Sequence, residues 1–155
     1  KVCINCHPSF LPFSRGKHYY FWNFVDNSPA GATIHIVDEK IDHGKICFQT
    51  RVKKKWEDNA FSMVKKSRKA LINLYKKNLN KILLLNFKTY NNEVKKGTFH
   101  FSNEIKKKSK INLNKKYTAR ELINIIRGCG GFSSNLAHFR DSGVNYYIDI
   151  SIKKK

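Results

Sequence analysis

Asn5-Cys6-His7-Pro8-Ser9-Phe10-Leu11-Pro12, followed shortly by Arg15-Gly16, is the stretch that settles how this chain is to be read. Val2 to Cys6 reads as a short buried strand. Pro8 and Pro12 cannot continue a ladder, so the strand discharges into a loop that ends at Arg15-Gly16. Successive side chains of a strand point to opposite faces, which puts Asn5 and His7 on the same side, about 6–7 Å apart. A carboxamide can donate a hydrogen bond, and an imidazole can give or take a proton near neutral pH. Such a pair suits acyl transfer, in which a carbonyl oxygen turns anionic while an amine loses a proton. On these residues alone, a strand-end asparagine beside a capping histidine is the simpler account.

Outward from that stretch the pattern is α/β. Lys17 to Val25 is aromatic-rich and predicts a short helix, because Tyr20, Trp22 and Phe24 cannot all face water. Asn27 to Gly31 is a turn. Ala32 to Val37 and Lys45 to Val52 predict strands, separated by the polar loop Asp38 to Gly44. A long helix is expected from about Asp58, which can cap it, to Asn86. Its apolar stripe would comprise Phe61, Val64, Leu71, Leu74, Ile82 and Leu85, with lysines facing outward. Asn91 to Lys116 is polar, with one strand candidate at Thr98 to Phe101. Thr118 and Glu121 form a capping box that opens a helix through Arg127, stopped at Gly128. Leu136 to Arg140 and Val144 to Ile152, joined by Asp141-Ser142-Gly143, predict a hairpin. The division is residues 1–90, carrying the site, and 91–155, a small subdomain of helix and hairpin.

Composition narrows the class. There are 31 Lys and Arg residues against 11 Asp and Glu, a net charge of +20. That balance attracts phosphate. The excess is almost all lysine, which lacks the bidentate fork of arginine, and it is spread in short runs; this argues for a solvated face rather than nucleic acid as the main partner. No apolar run approaches the length of a membrane span, and no basic-then-apolar leader is present, so a cytoplasmic protein without a membrane partner is expected. Cys3-Ile4-Asn5-Cys6-His7 fits the C-x-x-C-H pattern of haem attachment. It falls in a strand entering a proline loop, and Cys47 and Cys129 are isolated. Neither haem nor a metal is therefore expected, and the cysteines read as buried strand residues.

The text around Asn5 and His7 resembles the N-x-H-P-S-x-L-P-x-x-R-G signature of the folate-dependent formyltransferase family. Gly31-Ala32-Thr33-Ile34-His35 resembles the family's G-x-T-x-H strand, and Asp38-Glu39-Lys40-Ile41-Asp42-His43-Gly44 its D-E-x-x-D-x-G loop, in the same order. The resemblance implies a doubly wound, Rossmann-like domain, seen here as its C-terminal part, followed by the helix-and-hairpin tail. It implies Asn5, His7 and Asp42 as the catalytic trio, 10-formyltetrahydrofolate as formyl donor and a primary amine as acceptor. His35 would stand behind the trio. Arg15-Gly16-Lys17-His18-Tyr19-Tyr20-Phe21-Trp22 looks more like the R-G-x-x-P-x-F-W pattern of enzymes that formylate nucleotide-linked amino sugars than like the transfer-RNA branch, with Tyr19 in place of the proline. Ser9, Arg15 and Lys17 would then border the substrate, and the protein could pair as a homodimer. Lys40 replaces a glycine usual in the family, at a point where a glycine would admit a special backbone angle. A methionyl-tRNA formyltransferase and a non-catalytic nucleic-acid-binding module are the alternatives. Family members carry several βα units before the N-x-H strand, so the 155 residues are expected to be a piece with little activity alone.

Overall fold

The computed structural model describes residues 2–132 and 137–155. In chain order the elements are β1 (Ile4–His7), β2 (Arg15–Gly16), α1 (Tyr19–Val25), β3 (Ala30–Ile36), β4 (Ile46–Val52), α2 (Ala60–Leu83), β5 (Phe99–His100), α3 (Glu104–Lys108), α4 (Ala119–Cys129), β6 (His138–Asp141) and β7 (Val144–Tyr147). A single 3₁₀ turn at Val94–Lys96 precedes β5.

β3 is the middle strand of a sheet ordered β1-β3-β4, and both its pairings are antiparallel. The parallel, doubly wound portion that the family resemblance implies is not represented among the described strands of this sheet. Nearly every residue of β3 is buried, so it carries side chains of both faces in a dry environment. Ala32 and Ile34 lie on one face, over which α2 packs. Thr33 and His35 lie on the other.

β1 differs from expectation. It is the edge strand, and Cys3 and Cys6 are exposed rather than buried. α2 lies over β3 and β4, and the flank of β1 facing away from the site stays open. The α2 stripe also differs. The buried positions are Ala60, Met63, Val64, Ser67 and Asn78, whereas Phe61 and Leu85 of the expected stripe are 40% and 61% exposed. Small residues at 60 and 67 let the helix approach the sheet, and tertiary contact, not side-chain size, chose the buried face. The cap is Asn59, not Asp58. Asn59 and Ser62 form a reciprocal capping box, while the Asp58 carboxylate accepts from Ser62 Oγ and pairs with Lys66.

The residue 91–155 segment is not walled off from the rest. Phe21 and Trp22 of α1 share one core with Ile105, Ile111, Ile125, Ile126, Cys129 and Ala137, and α1 packs on α4. The Thr118–Glu121 capping box forms as expected; α4 runs past Gly128 to Cys129 and is capped by Gly130. Gly128 stays helical because its missing side chain admits Phe21, whose ring would lie 3.0 Å from a Cβ there. The hairpin closes through Ser142 and Gly143, both at positive φ, as a two-residue turn of the primed type demands. Its second strand ends at Tyr147 rather than Ile152. The expected start at Leu136 lies outside the described residues.

Candidate active site

The antiparallel register sets Asn5 opposite His35 and His7 opposite Thr33. Opposed residues of such a pair share a face, so four side chains converge where spacing within β1 alone promised two. Asp42 comes to the same place from the β3–β4 loop. Its Oδ1 lies 3.2 Å from Asn5 Nδ2, 3.6 Å from His7 Nδ1 and 3.5 Å from His35 Nε2. Its Oδ2 accepts the Gly16 backbone N–H at 2.9 Å. His7, His35 and Asp42 are all buried, while Asn5 remains exposed at the edge. A cleft of about 390 Å³ opens beside them, lined by Ile4, Asn5, His35 and residues 37–42.

The partners of the two rings fix their tautomers. His7 Nε2 faces the Ser14 carbonyl at 3.3 Å, and His35 Nδ1 faces the Ile36 carbonyl at 2.8 Å. A carbonyl only accepts, so each of these nitrogens carries a hydrogen. Neutral His35 thus presents a bare Nε2, which accepts from Asn5 Nδ2 at 3.2 Å. Neutral His7 presents a bare Nδ1 to the Asp42 carboxylate. Two lone-pair groups facing each other make a place for one proton. Burial, the largest influence, drives the His7 pKa below its ordinary value, against the pull of Asp42 and the Ser14 carbonyl. For Asp42, burial pushes the carboxyl up. The neighbouring imidazoles of His35 and His7 and the Gly16 N–H outweigh it and hold the carboxyl below its ordinary value.

The loops that present these groups are tied down by polar side chains. Thr33 Oγ1 donates to Ser9 O at 2.7 Å and accepts from Leu11 N at 3.2 Å, pinning the proline loop to the middle strand. Ser9 is fully buried and donates to Phe13 O at 2.6 Å, so its hydroxyl shapes the loop from within. Asp42 itself takes positive φ (50°), and Asn92 Nδ2 donates to the carbonyls of Asp42 and His43 to hold that turn. Lys40 is exposed and not at positive φ, so the glycine it replaces is not required for the backbone here. Arg15 packs over Phe99 at 5.5 Å with its Nε buried, and Lys17 is exposed beside it. Tyr19, at the position of the family's proline, meets the His7 ring edge-on at 6.1 Å; burial pushes its phenol up to about 12. Sequence reasoning missed the supporting roles of Thr33, Ser14 and Asn92. For Thr33 the signal was available, since it sits two residues from His35 on the same face. Among the described residues there is no cluster of His, Cys, Asp or Glu placed to hold a metal, and no helix long and apolar enough to cross a membrane.

The fold thus gathers Asn5, His7 and His35 around the Asp42 carboxylate at the end of β1. The formyl transferase family profile matches residues 1–79, just over half of the chain. The chain belongs to the formyl transferase family. Residues 104–154 match a second profile, the N-formyltransferase dimerization C-terminal domain. The dTDP-4-amino-4,6-dideoxyglucose formyltransferase of Mycobacterium tuberculosis is 40% identical over 47 residues, covering 30% of this chain and 20% of that protein. The methionyl-tRNA formyltransferase of Thermodesulfovibrio yellowstonii is 30% identical over 128 residues, 81% of this chain and 40% of that protein. A 4-N formyltransferase from Francisella tularensis superposes with a TM-score of 0.92 at 30% identity over 99% of this chain and 64% of its own. A formyltransferase from Anoxybacillus kamchatkensis, solved with UDP-4,6-dideoxy-4-formamido-L-AltNAc and tetrahydrofolate, superposes at 0.65 and 28% identity over 67% of this chain and 55% of its own. The chain therefore spans less than two thirds of the length of these relatives.

Proposed function

We propose that this formyl transferase moves a formyl group from 10-formyltetrahydrofolate to the primary amine of a nucleotide-linked amino sugar, with Asn5, His7 and Asp42 as catalytic residues. The observation that carries the reading is the 3.6 Å approach of Asp42 Oδ1 to the bare Nδ1 of His7, with Asn5 Nδ2 on the same oxygen. The amine nitrogen forms a new bond to the formyl carbon, and the bond from that carbon to the donor nitrogen breaks. The amine's proton enters the space between His7 and Asp42, and a proton returns to the departing donor nitrogen. Asn5 donates to the oxygen that becomes anionic. Its two bonds in the free protein, both 3.2 Å, are long and exchange readily for a shorter one to an oxyanion.

The donor side fits the cleft. Val37 and Ile41 are 45% and 62% exposed at its rim, an apolar border for a flat heteroaromatic ring, with Asn5 and Asp42 at its floor. The sugar acceptor is supported by the names of the Mycobacterium and Anoxybacillus relatives, and pairing of two copies by the C-terminal profile. Lys17, the exposed charge beside the half-buried Arg15, is available to meet a diphosphate. A second reading, methionyl-tRNA as acceptor, is favoured by the length of the Thermodesulfovibrio match. The test supplies the protein in its full natural length with 10-formyltetrahydrofolate and, separately, dTDP-, GDP- and UDP-linked amino sugars and methionyl-tRNA. A formylated sugar that disappears in Asn5→Ala supports the first reading. Formyl-methionyl-tRNA with no sugar product replaces it with the second.

A further inference from the structure

His100 lies outside the catalytic cluster, yet its surroundings are built to hold it still. Its ring is stacked on Trp22 at 3.6 Å and 5°. Nε2 faces Asp26 Oδ2 at 2.8 Å and Nδ1 faces Glu104 Oε2 at 3.0 Å. Through these two contacts one side chain ties the end of α1 and the start of α3 to β5. No step of formyl transfer uses this cluster.

What β5 does for the site explains why it is held. β5 pairs with β2 in parallel, Arg15 opposite Phe99 and Gly16 opposite His100. Arg15 N donates to Thr98 O at 3.0 Å, Lys17 N to His100 O at 3.2 Å, and Ser14 N to Thr98 Oγ1 at 2.8 Å. The segment so zipped down, residues 14–17, supplies both backbone contacts to the catalytic pair: Ser14 O to His7 Nε2 and Gly16 N to Asp42 Oδ2. Gly16 admits no slack, because a Cβ there would lie 2.3 Å from His100 O. A shift of β5 is therefore a shift of the groups that orient both the base and the carboxylate.

We infer that His100, clamped between Asp26 and Glu104 over Trp22, is a positioning residue that sets Asp42 and His7 through the β5–β2 pairing. The inference rests on the proposed function for its kinetic consequence, but not for its structural one. His100→Phe keeps a flat ring over Trp22 and removes both polar contacts. Hydrogen exchange at the Gly16 amide is expected to speed up at least about ten-fold, while the amides of Ile34 and Met63 in the sheet and α2 stay as they were. kcat for formyl transfer by the full natural protein is expected to fall about ten-fold with KM for the amino sugar unchanged, since a misplaced catalytic group costs rate rather than binding. Asp26→Ala with Glu104→Ala should do the same while leaving the histidine in place. Asp26→Asn with Glu104→Gln, which keeps an acceptor oxygen on each side, should recover most of both signals. If His100→Phe fails to fold, the two carboxylate pairs decide the matter. Gly16 exchange and kcat within about two-fold of wild type in the alanine pair would overturn the inference. Absence of formyl transfer by the wild type would instead refute the proposed function, and the exchange measurement would still judge the clamp.

Discussion

Replacing Asp42 with asparagine removes a charge without removing volume, and the surrounding distances say what should follow. The new amide can keep one oxygen for the Gly16 N–H, now 2.9 Å from Oδ2. Its nitrogen must then stand where Oδ1 was, 3.2 Å from Asn5 Nδ2, which is also a donor, but 3.6 Å from the bare nitrogen of His7 and 3.5 Å from that of His35. One donor–donor conflict arises while two acceptors become available, so the fold should survive. The loss is one or two charge-assisted bonds, about 1–3 kcal/mol in all, which lowers Tm by on the order of 3–10 °C in a domain of this size. Turnover should suffer far more. The amide cannot share the amine's proton with His7, and loss of a positioned acid–base group typically costs about 10²–10⁴-fold in kcat. Steady-state formyl transfer and thermal unfolding on the same Asp42→Asn preparation separate the two effects. A variant with lowered Tm but kcat/KM within about three-fold of wild type would show that the carboxylate only braces the loop, and the catalytic assignment would fall.

Gly16→Ala places a side chain at a φ of 85° and its Cβ 2.3 Å from the His100 carbonyl, so Tm and kcat should fall together; backbone strain of this kind costs about 1–3 kcal/mol. An unchanged Tm would show that β2 can move without consequence. For His7, burial holds the folded pKa below 6.5, so the unfolded chain takes up the proton first. Stability is then full above pH 6.5 and declines as pH falls through that value toward the folded pKa, a slope that His7→Asn should flatten in pH-dependent unfolding. Thr118→Ala removes the reciprocal cap of α4, and chemical denaturation should report a loss of about 1 kcal/mol with formyl transfer at its wild-type rate.

The parts of the molecule legible in the sequence are those that short-range rules dictate. The strands at β3 and β4, the Thr118–Glu121 capping box and the Ser142-Gly143 turn depend on residues within a few positions of each other, and they stand where they were expected. The α2 stripe holds at Val64, Leu71, Leu74 and Ile82, which are buried or half-buried, and fails at Phe61 and Leu85, because a helix with apolar residues on several sides has no preferred face until a sheet offers one. Ser67 and Ala60 fit under that sheet, and Phe61 did not. The cysteines of β1 were misread for the same kind of reason, since whether a strand is central or an edge is not written in the strand.

The sequence by itself singled out the candidate residues: alternation put Asn5 and His7 on one side, and the resemblance to the family's loop motif pointed to Asp42. Only the tertiary structure decided how they meet. The antiparallel register brought His35 across to Asn5, thirty positions away, and the turn at Asp42 swung its carboxylate under His7. The β2–β5 pairing then closed the arrangement from more than eighty positions downstream, with Ser14 N on Thr98 Oγ1. Contacts of that range are selected by the packing of whole elements, because loop closure leaves a short stretch of chain no means of specifying its distant neighbour.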